Sequence, residues 1–378
     1  MSALKKGDHL YLVDGSGYLF RAYHALPPLS RKSDGLPTGA VAGYCNMLWK
    51  LLEDMKGGDV PTHLAVIFDA GEVTFRNKIY KDYKAHRPPP PEDLIPQFPL
   101  VRDATRAFGV ACVEMAGYEA DDLIATYARA AHKAGARTTI ISSDKDLMQL
   151  VVDGAIELYD TMKNKRITSA EVLEKFGVAP DKVVQVQALA GDSTDNVPGV
   201  RGIGIKTAAE LIGAYGDVET LLKRAGEIKQ NKRRETLIEN ADNARISLRL
   251  VTLDCEVPLK EQPHEFAVRE LDPQTLIAFL KAMEFSTITK RVAAHFKIEN
   301  YESVAPAASV AAPPAAPLLE TPAAASAEET ALRAPIDHSA YVTVISAAEL
   351  DKWIARAREK GVISVDTETT SLDPMQAG

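Results

Sequence analysis

His9–Asp14 reads HLYLVD, a short apolar run closed by an acid. A run of this length and composition is the pattern of a buried strand, here residues 9–13. Two more runs repeat it: THLAVIF at 62–68, followed by Asp69, and RTTII at 137–141, followed after two serines by Asp144. Between them, AVAGYCNMLWKLLEDM at 40–55 and residues 119–134 carry helical periodicity. Strands separated by helices predict an α/β fold with a central, mostly parallel sheet and flanking helices. In such sheets ligands bind beyond the carboxyl ends of the strands. Asp14, Asp69 and Asp144 each stand just past an apolar run, as a shared site on one sheet edge requires.

Further acids lie in GYEADD (Glu119, Asp121, Asp122), SSDKD (Asp144, Asp146) and AGDSTDN (Asp192, Asp195). Glu119 and Asp122, three apart, can share a helix face, so the trio is expected at one end of a helix. Asp144 and Asp146, two apart, point the same way if their segment is extended. Taken singly, Asp121, Asp144 or Asp195 could be an ordinary helix cap. Five clusters that converge cannot all stay ionised unless cations join them. Hard divalent ions prefer carboxylate oxygens, and a pair of them both activates water and stabilises a leaving oxygen, which reads as phosphodiester hydrolysis. His9, His24, His63 and His86 are scattered, so no histidine is expected as general base.

The 378 residues carry 44 bases and 52 acids, a formal charge of −8, so whole-chain charge does not announce a nucleic-acid binder. The bases are local. FRNKIYKDYKAHRPPPPEDLI at 75–95 is basic and aromatic, then proline-rich. Arg76, Tyr80, Tyr83, Lys84 and Arg87 fall at helical spacings, so one helix face is predicted to carry both bases and rings until Pro88–Pro91 stops it. With Lys78 and Lys81, these side chains suit phosphate neutralisation and base stacking, and a solvated surface is the plainer alternative. Cys45, Cys112 and Cys255 are widely spaced and read as small hydrophobes rather than disulfide partners or zinc ligands. The lack of a signal peptide or of any long apolar span predicts a soluble, reducing, cytoplasmic setting.

GVRGIGIKTAA at 199–209 places glycines between two helical stretches, VVQVQALAG and KTAAELIGAY. Such glycines let backbone approach closely, and exposed amides there can hold a phosphate or a monovalent ion. GxGxxG is absent and no strand precedes, so sequence-independent binding to a duplex backbone fits better than a nucleotide cofactor. Lys223, Arg224, Lys229, Lys232, Arg233 and Arg234 extend the basic track. Residues 168–297 read as mostly helical. Residues 302–335, dominated by Ala and Pro, read as a linker. After it, YVTVISAAELDKWIARAREKGVISVDTETTSLDP begins a new strand–helix–strand pattern too short to bury a core, and it is expected to be truncated and partly disordered.

These motifs taken together, VDGSGYLFRAYHALP, FDAG, YKDYKAHRPPPPEDL, GYEADD, SSDKDLMQLV and GDSTDNVPGVRGIGIKTAAELI, closely resemble the N-terminal 5′ nuclease region of bacterial DNA polymerase I, within the wider flap endonuclease family. The likeness runs through roughly residues 8–300. It implies a PIN-like 5′ nuclease core at 1–168 with a helical arch at about 75–95. A helical duplex-binding subdomain follows at 169–300, with a helix-hairpin-helix at 185–212, then a linker at 301–335. It implies that Asp14, Asp69, Glu119, Asp121, Asp122, Asp144, Asp146, Asp192 and Asp195 bind two or more Mg²⁺ or Mn²⁺ ions, with Asp14, Asp69, Glu119, Asp121 and Asp144 catalytic. Arg76 and Lys84 would contact the scissile phosphate, and Tyr83 would unpair or stack the terminal nucleotide. Tyr80, Lys81 and Arg87, and in the hairpin Gly199, Arg201, Gly202, Gly204, Lys206 and Thr207, would meet DNA, with K⁺ at the hairpin. The implied substrates are nicked or branched duplexes with a 5′ flap and RNA–DNA primer junctions, cut to leave 5′-phosphates in primer removal and repair. The implied setting is a monomer in the bacterial cytoplasm, joined to a polymerase domain in one longer chain. VISVDTETTSLDP resembles the first motif of a 3′–5′ proofreading exonuclease, with Asp366 and Glu368 as its first acids, expected here to be vestigial in residues 336–378 and without proofreading or polymerase activity.

Two rivals remain at this level. A two-metal phosphatase or PIN-like RNase shares the acid cleft but has no need of the glycine hairpin. A DNA-structure-binding module with a decayed site gains nothing from gathering negative charge where DNA must lie.

Overall fold

The computed structural model describes residues 4–55, 60–308, 344 and 346–360. Strand β1 (His9–Asp14) pairs in parallel with β2 (His63–Phe68) on one side and β4 (Arg137–Ile141) on the other. β3 (Ala111–Glu114) extends the sheet beyond β2, and β5 (Ile156–Asp160) beyond β4, both in parallel. β6 (Lys165–Ile167) closes the edge antiparallel to β5, giving the order β3-β2-β1-β4-β5-β6. The mixed α/β class with a mostly parallel sheet is therefore as the sequence predicts. β3, β5 and β6 are additions that the sequence reading did not contain.

Alternation along the central strands feeds two cores. Leu10, Leu12, Ala65, Ile67 and Ile140 face one, while Tyr11, Val13, Leu64, Val66, Phe68 and Ile141 face the other. A parallel sheet covered on both faces needs such continuous apolar runs. The second core is covered by α1 (Gly15–Ala25), α2 (Gly39–Met55) and α4 (Gln97–Ala107). The first is covered by α5 (Ala120–Lys133).

Past β6 the first core continues into helices: α6 (Ser169–Phe176), α7 (Val183–Ala190), α8 (Ile205–Tyr215), α9 (Val218–Lys223), α10 (Asn231–Glu239) and α11 (Ala241–Val251). The last pair, α12 (Pro273–Ala282) and α13 (Ser286–His295), behaves differently. Leu276, Ile277, Phe279, Leu280, Ile288 and Val292 join the second core, and His295 and Phe296 pack edge-on against Trp49 of α2. Residues 169–300 thus divide between the two sides of the sheet.

A second unit, residues 316–378, is described only at 344 and 346–360, where Ala347–Lys360 form a helix. Most of the linker at 301–335, the flanking strands, and Asp366 and Glu368 lie outside the described residues.

Candidate metal centre and basic segment

β1, β2 and β4 run parallel in register, with Asp14 opposite Ile67 and Val13 opposite Ile141, so their carboxyl ends share one edge. Asp14 doubles as the N-cap of α1, its Oδ1 accepting the Gly17 amide at 2.7 Å. Ser142 donates its hydroxyl to Asp14 Oδ2 at 2.9 Å and accepts the Asp144 amide at 3.0 Å, tying the ends of β1 and β4 together. Asp69 accepts the Ala120 amide, the first of α5, at 2.9 Å, and Arg102 holds the Asp69 carbonyl at 2.7 Å. Glu119 caps α5 in a reciprocal capping box with Asp122.

The acids feel one another. Burial pushes Asp14 up to about 6, with the charges of Asp69 and Asp144 adding to it. Burial, with Asp144, Asp14, Asp69 and Glu119 around it, holds Asp121 well above the ordinary carboxylate range. Asp146 is raised to about 7 by burial and by Asp144 and Asp195. Carboxylates from β1, the β2 end, α5 and the β4 end thus crowd one edge, the arrangement that like charges resist and cations relieve. Among the described residues no group of three or more His, Cys, Asp or Glu side chains is already closed around one point. Asp14, Asp69, Asp144 and Asp146 are instead held by an amide or a hydroxyl of the chain. All the crowded donors are carboxylate oxygens, the donor type that hard divalent ions prefer.

The other predicted ligands are occupied by bases. Asp192 pairs with Lys145. Burial alone would raise Asp192, but Lys145 and the amides of Thr194 and Asp195 hold it below its usual value. Asp195 pairs with Arg87 and lies 3.7 Å from Lys84 Nζ. Lys84 Nζ donates to Glu119 Oε2 at 2.9 Å. Burial works against the Lys84 ammonium, yet Glu119 and Asp195 outweigh it and raise its pKa.

Asp122 stands apart. Fully buried, it receives both Arg76 Nη1 (2.7 Å) and Nη2 (2.8 Å), the Asp254 amide (2.9 Å) and the Glu119 amide (3.1 Å). Its oxygens are consumed by the fold, so it does not join the crowded acids. Arg76 is 1% exposed and spends its remaining donors on the carbonyls of Leu250 (2.7 Å) and Thr252 (3.2 Å). It is therefore not presented to a phosphate in this conformation, contrary to the sequence expectation.

The predicted single helix through 75–87 is also corrected. α3 spans only Phe75–Ile79, and 81–86 is a series of turns with Lys84 in the left-handed region at φ 58°. The Lys84 amide donates to the Asp195 carbonyl at 2.9 Å, which fixes that turn from outside its own segment. Tyr83, 5% exposed, sends its hydroxyl toward Glu119 and Asp195, both at 3.3 Å, so its ring is not a free stacking surface here. Lys81 and Arg87 are exposed and Tyr80 is half-buried. Asp146 opens a 3-10 helix (Asp146–Leu150) rather than lying in an extended run with Asp144, and its amide donates to Asp144 Oδ1 at 2.8 Å.

In the glycine hairpin the residues separate by role. A Cβ on Gly199 would stand 2.5 Å from the Gly191 nitrogen, and one on Gly191 would stand 2.7 Å from the Val197 carbonyl oxygen. These two glycines, both at positive φ, exist for backbone contact. Gly202 and Gly204 meet nothing within 4 Å and are exposed with Arg201 and Lys206, while Thr207 is half-buried.

Sequence reasoning missed Ser142, Lys145, Gln187 and Arg21. A cleft of about 310 Å³ beside Asp14 and Asp144 is lined by Tyr18, Arg21, Ser142, Tyr159 and Thr161. There the Arg21 guanidinium lies 4.4 Å from the Tyr18 ring centroid and donates to Thr161 at 3.1 Å. Arg21 sits in the helical run after Asp14, where spacing from the acid was the available signal. A larger, mostly apolar pocket of about 380 Å³, lined by Trp49, Leu64, Phe108, Val110 and Phe296, lies toward the amino ends of β2 and β3, away from the acids.

Two family models cover most of the chain: the 5′–3′ exonuclease N-terminal resolvase-like domain at residues 9–177, and the 5′–3′ exonuclease C-terminal SAM fold at 178–274. The chain belongs to the 5′–3′ exonuclease family. A 5′–3′ exonuclease of Aquifex aeolicus is 36% identical over 295 residues, covering 78% of this chain and 99% of that protein. DNA polymerase I of Rhizobium leguminosarum is 52% identical over 416 aligned residues, covering 99% of this chain. The chain spans 41% of the length of that polymerase. In three dimensions it is similar to a bacteriophage T5 flap endonuclease solved with DNA and metal ions (TM-score 0.54, 20% identity, 76% of this chain and 98% of that one), a likeness of fold. Nuclease activity of the 5′–3′ exonuclease class follows from the family. No helix among the described residues is long and apolar enough to cross a membrane.

Proposed function

We propose that the chain is a structure-selective 5′ nuclease that cuts 5′ flaps and nicked or RNA-primed strands near the junction with duplex, leaving 5′-phosphates, with two or more Mg²⁺ or Mn²⁺ ions. The observation that carries this reading is the convergence of Asp14, Asp69, Asp121 and Asp144, from four separate elements, on one sheet edge, with Ser142 tying Asp14 to the Asp144 amide and Asp69 held on the first amide of α5. Asp14, Asp69, Asp121, Asp144 and Asp146, with Glu119, Asp192 and Asp195 as Lys84, Arg87 and Lys145 release them, would hold the ions. Bound there, divalent cations supply an activated water and neutralise charge on the phosphate and leaving oxygen. Lys84, freed from Glu119, meets the scissile phosphate, and Arg21 adds positive charge in the adjoining cleft. Lys81 and Arg87 steer the strand. Residues 1–168 do the chemistry, while the exposed backbone of Arg201, Gly202 and Gly204, with Gly199 shaping the loop and Lys206 and Thr207 beside it, grips the duplex backbone, with K⁺ supported there. The likeness to DNA polymerase I supports a role in primer removal and repair, joined to a polymerase domain.

The test is cleavage of an end-labelled 5′-flap duplex with and without divalent ions. Cutting at the junction that vanishes with chelator supports the reading. Equal cutting of plain single strands and flaps moves the chain to the general-nuclease class.

A further inference from the structure

Gln187 is buried, 4% exposed, on α7, the first helix of the glycine hairpin. Its Nε2 donates to Asp146 Oδ1 at 2.5 Å. Its Oε1 is buried with no hydrogen-bond partner among the described residues. A buried amide oxygen without a donor is costly. Rotating the amide by half a turn would set that oxygen against the carboxylate, which is worse. The amide is therefore oriented for Asp146 and not for its own satisfaction. Gln149 shows the contrast. It is equally interior, yet its Nε2 serves the carbonyls of Asp146 (2.9 Å) and Val251 (3.0 Å), and its Oε1 receives the Leu253 amide (3.1 Å). Gln149 holds the backbone of Asp146, and Gln187 holds its carboxylate. With Oδ1 engaged, Asp146 Oδ2 accepts no hydrogen bond among the described residues.

We propose that Gln187 is a positioning residue that fixes the Asp146 carboxylate with Oδ2 presented to a divalent cation. This rests on the two-cation reading above. Partners that orient a ligating carboxylate commonly change metal affinity by ten- to a hundredfold when removed. The placement also has a mechanical side. The Gln187 carbonyl accepts the Gly191 amide at 2.8 Å, and the neighbouring Leu189 carbonyl accepts Val200 at 2.7 Å. The same turn of α7 thus anchors the hairpin and orients the acid.

The test is Gln187→Met in the whole chain, which keeps the unbranched shape and removes both the donor and the orphan oxygen, with Gln187→Leu as a second replacement. Mn²⁺ is titrated by calorimetry. The parent is expected to bind, and each variant to bind one ion about tenfold more weakly with no loss of thermal midpoint. Flap cleavage at limiting Mn²⁺ should fall in parallel and recover at high Mn²⁺, with KM for the flap unchanged. In an Asp146→Asn background, Gln187→Met should add no further loss. Parent-like Mn²⁺ affinity in the variants, a full additional loss in the Asp146→Asn background, or unfolding of both variants overturns the positioning role. A parent that binds no Mn²⁺ overturns the two-cation reading itself, and this inference with it.

Discussion

Arg76 and Asp122 form a forked ion pair with both partners inside the protein, Nη1 and Nη2 lying 2.7 and 2.8 Å from the two carboxylate oxygens. Together they fasten α3, the start of α5 and the segment 250–254. Removing one partner leaves the other charged, buried and alone, which costs ~3–5 kcal/mol. Arg76→Met should therefore lower the urea midpoint sharply, and Arg76→Met with Asp122→Leu should recover much of the loss. An unchanged midpoint in Arg76→Met would show that the pair holds nothing together.

Asp144 lies at the β4 end of the acid edge, exposed, with its charge pressing on Asp14, Asp121 and Asp146. Asp144→Asn should abolish flap cleavage while flap binding in Ca²⁺ stays within a few-fold of the parent. Retained cleavage would take Asp144 out of the ion-binding set.

Lys84 is 24% exposed at its side chain and bridges Glu119 and Asp195. Its replacement by alanine should reduce turnover on the order of 100-fold, as for other lost transition-state donors, and change duplex affinity little. A loss confined to KM would make Lys84 a binding group only.

In the ion-free chain, folding binds protons at the acid edge. Asp14 and Asp146 sit at about 6 and about 7, above their unfolded values, so the folded state holds protons more tightly. Their contribution is complete below pH ~4 and is lost as pH rises through 6 to 7. Thermal scans with chelator should show the midpoint falling across that window, and Mg²⁺ should raise the midpoint more at pH ~8 than at pH ~5. A Mg²⁺ increment independent of pH would sever these acids from the ion site.

Gly199→Ala should destabilise, since its Cβ would enter the Gly191 backbone at positive φ. Gly204→Ala meets open space at φ −93° and should leave the thermal midpoint unchanged while weakening duplex binding if DNA backbone approaches there. Equal duplex affinity for Gly204→Ala and parent would move the contact elsewhere on the loop.

The α/β class, the three central strands and the helices at 39–55 and 120–133 were legible because each is long, periodic and locally consistent. β3 and β6, four and three residues long, carry too little pattern to be read without their neighbours. The arm failed for a different reason. Spacing through 76–87 is helical, but the chain leaves the helix at Tyr80, which is extended, and the turn that follows is held by the Asp195 carbonyl on the Lys84 amide, a contact across more than a hundred residues.

Sequence by itself determined which residues could form the sheet, that acids would follow its strands, and, through the run of motifs, the family. Only the tertiary structure decided how those acids are used. Asp122 and Arg76 have the same chemistry as their neighbours, yet burial against each other commits them to the fold. Asp14, Asp69, Asp121 and Asp144 meet at the sheet edge, where burial and their neighbours' charge raise Asp14 and Asp121. Gln187 looks like any helix glutamine until the packing of α7 sets its amide against Asp146. Ionisable side chains take their roles from burial and from nearby charge, and both are fixed by residues far away in the chain.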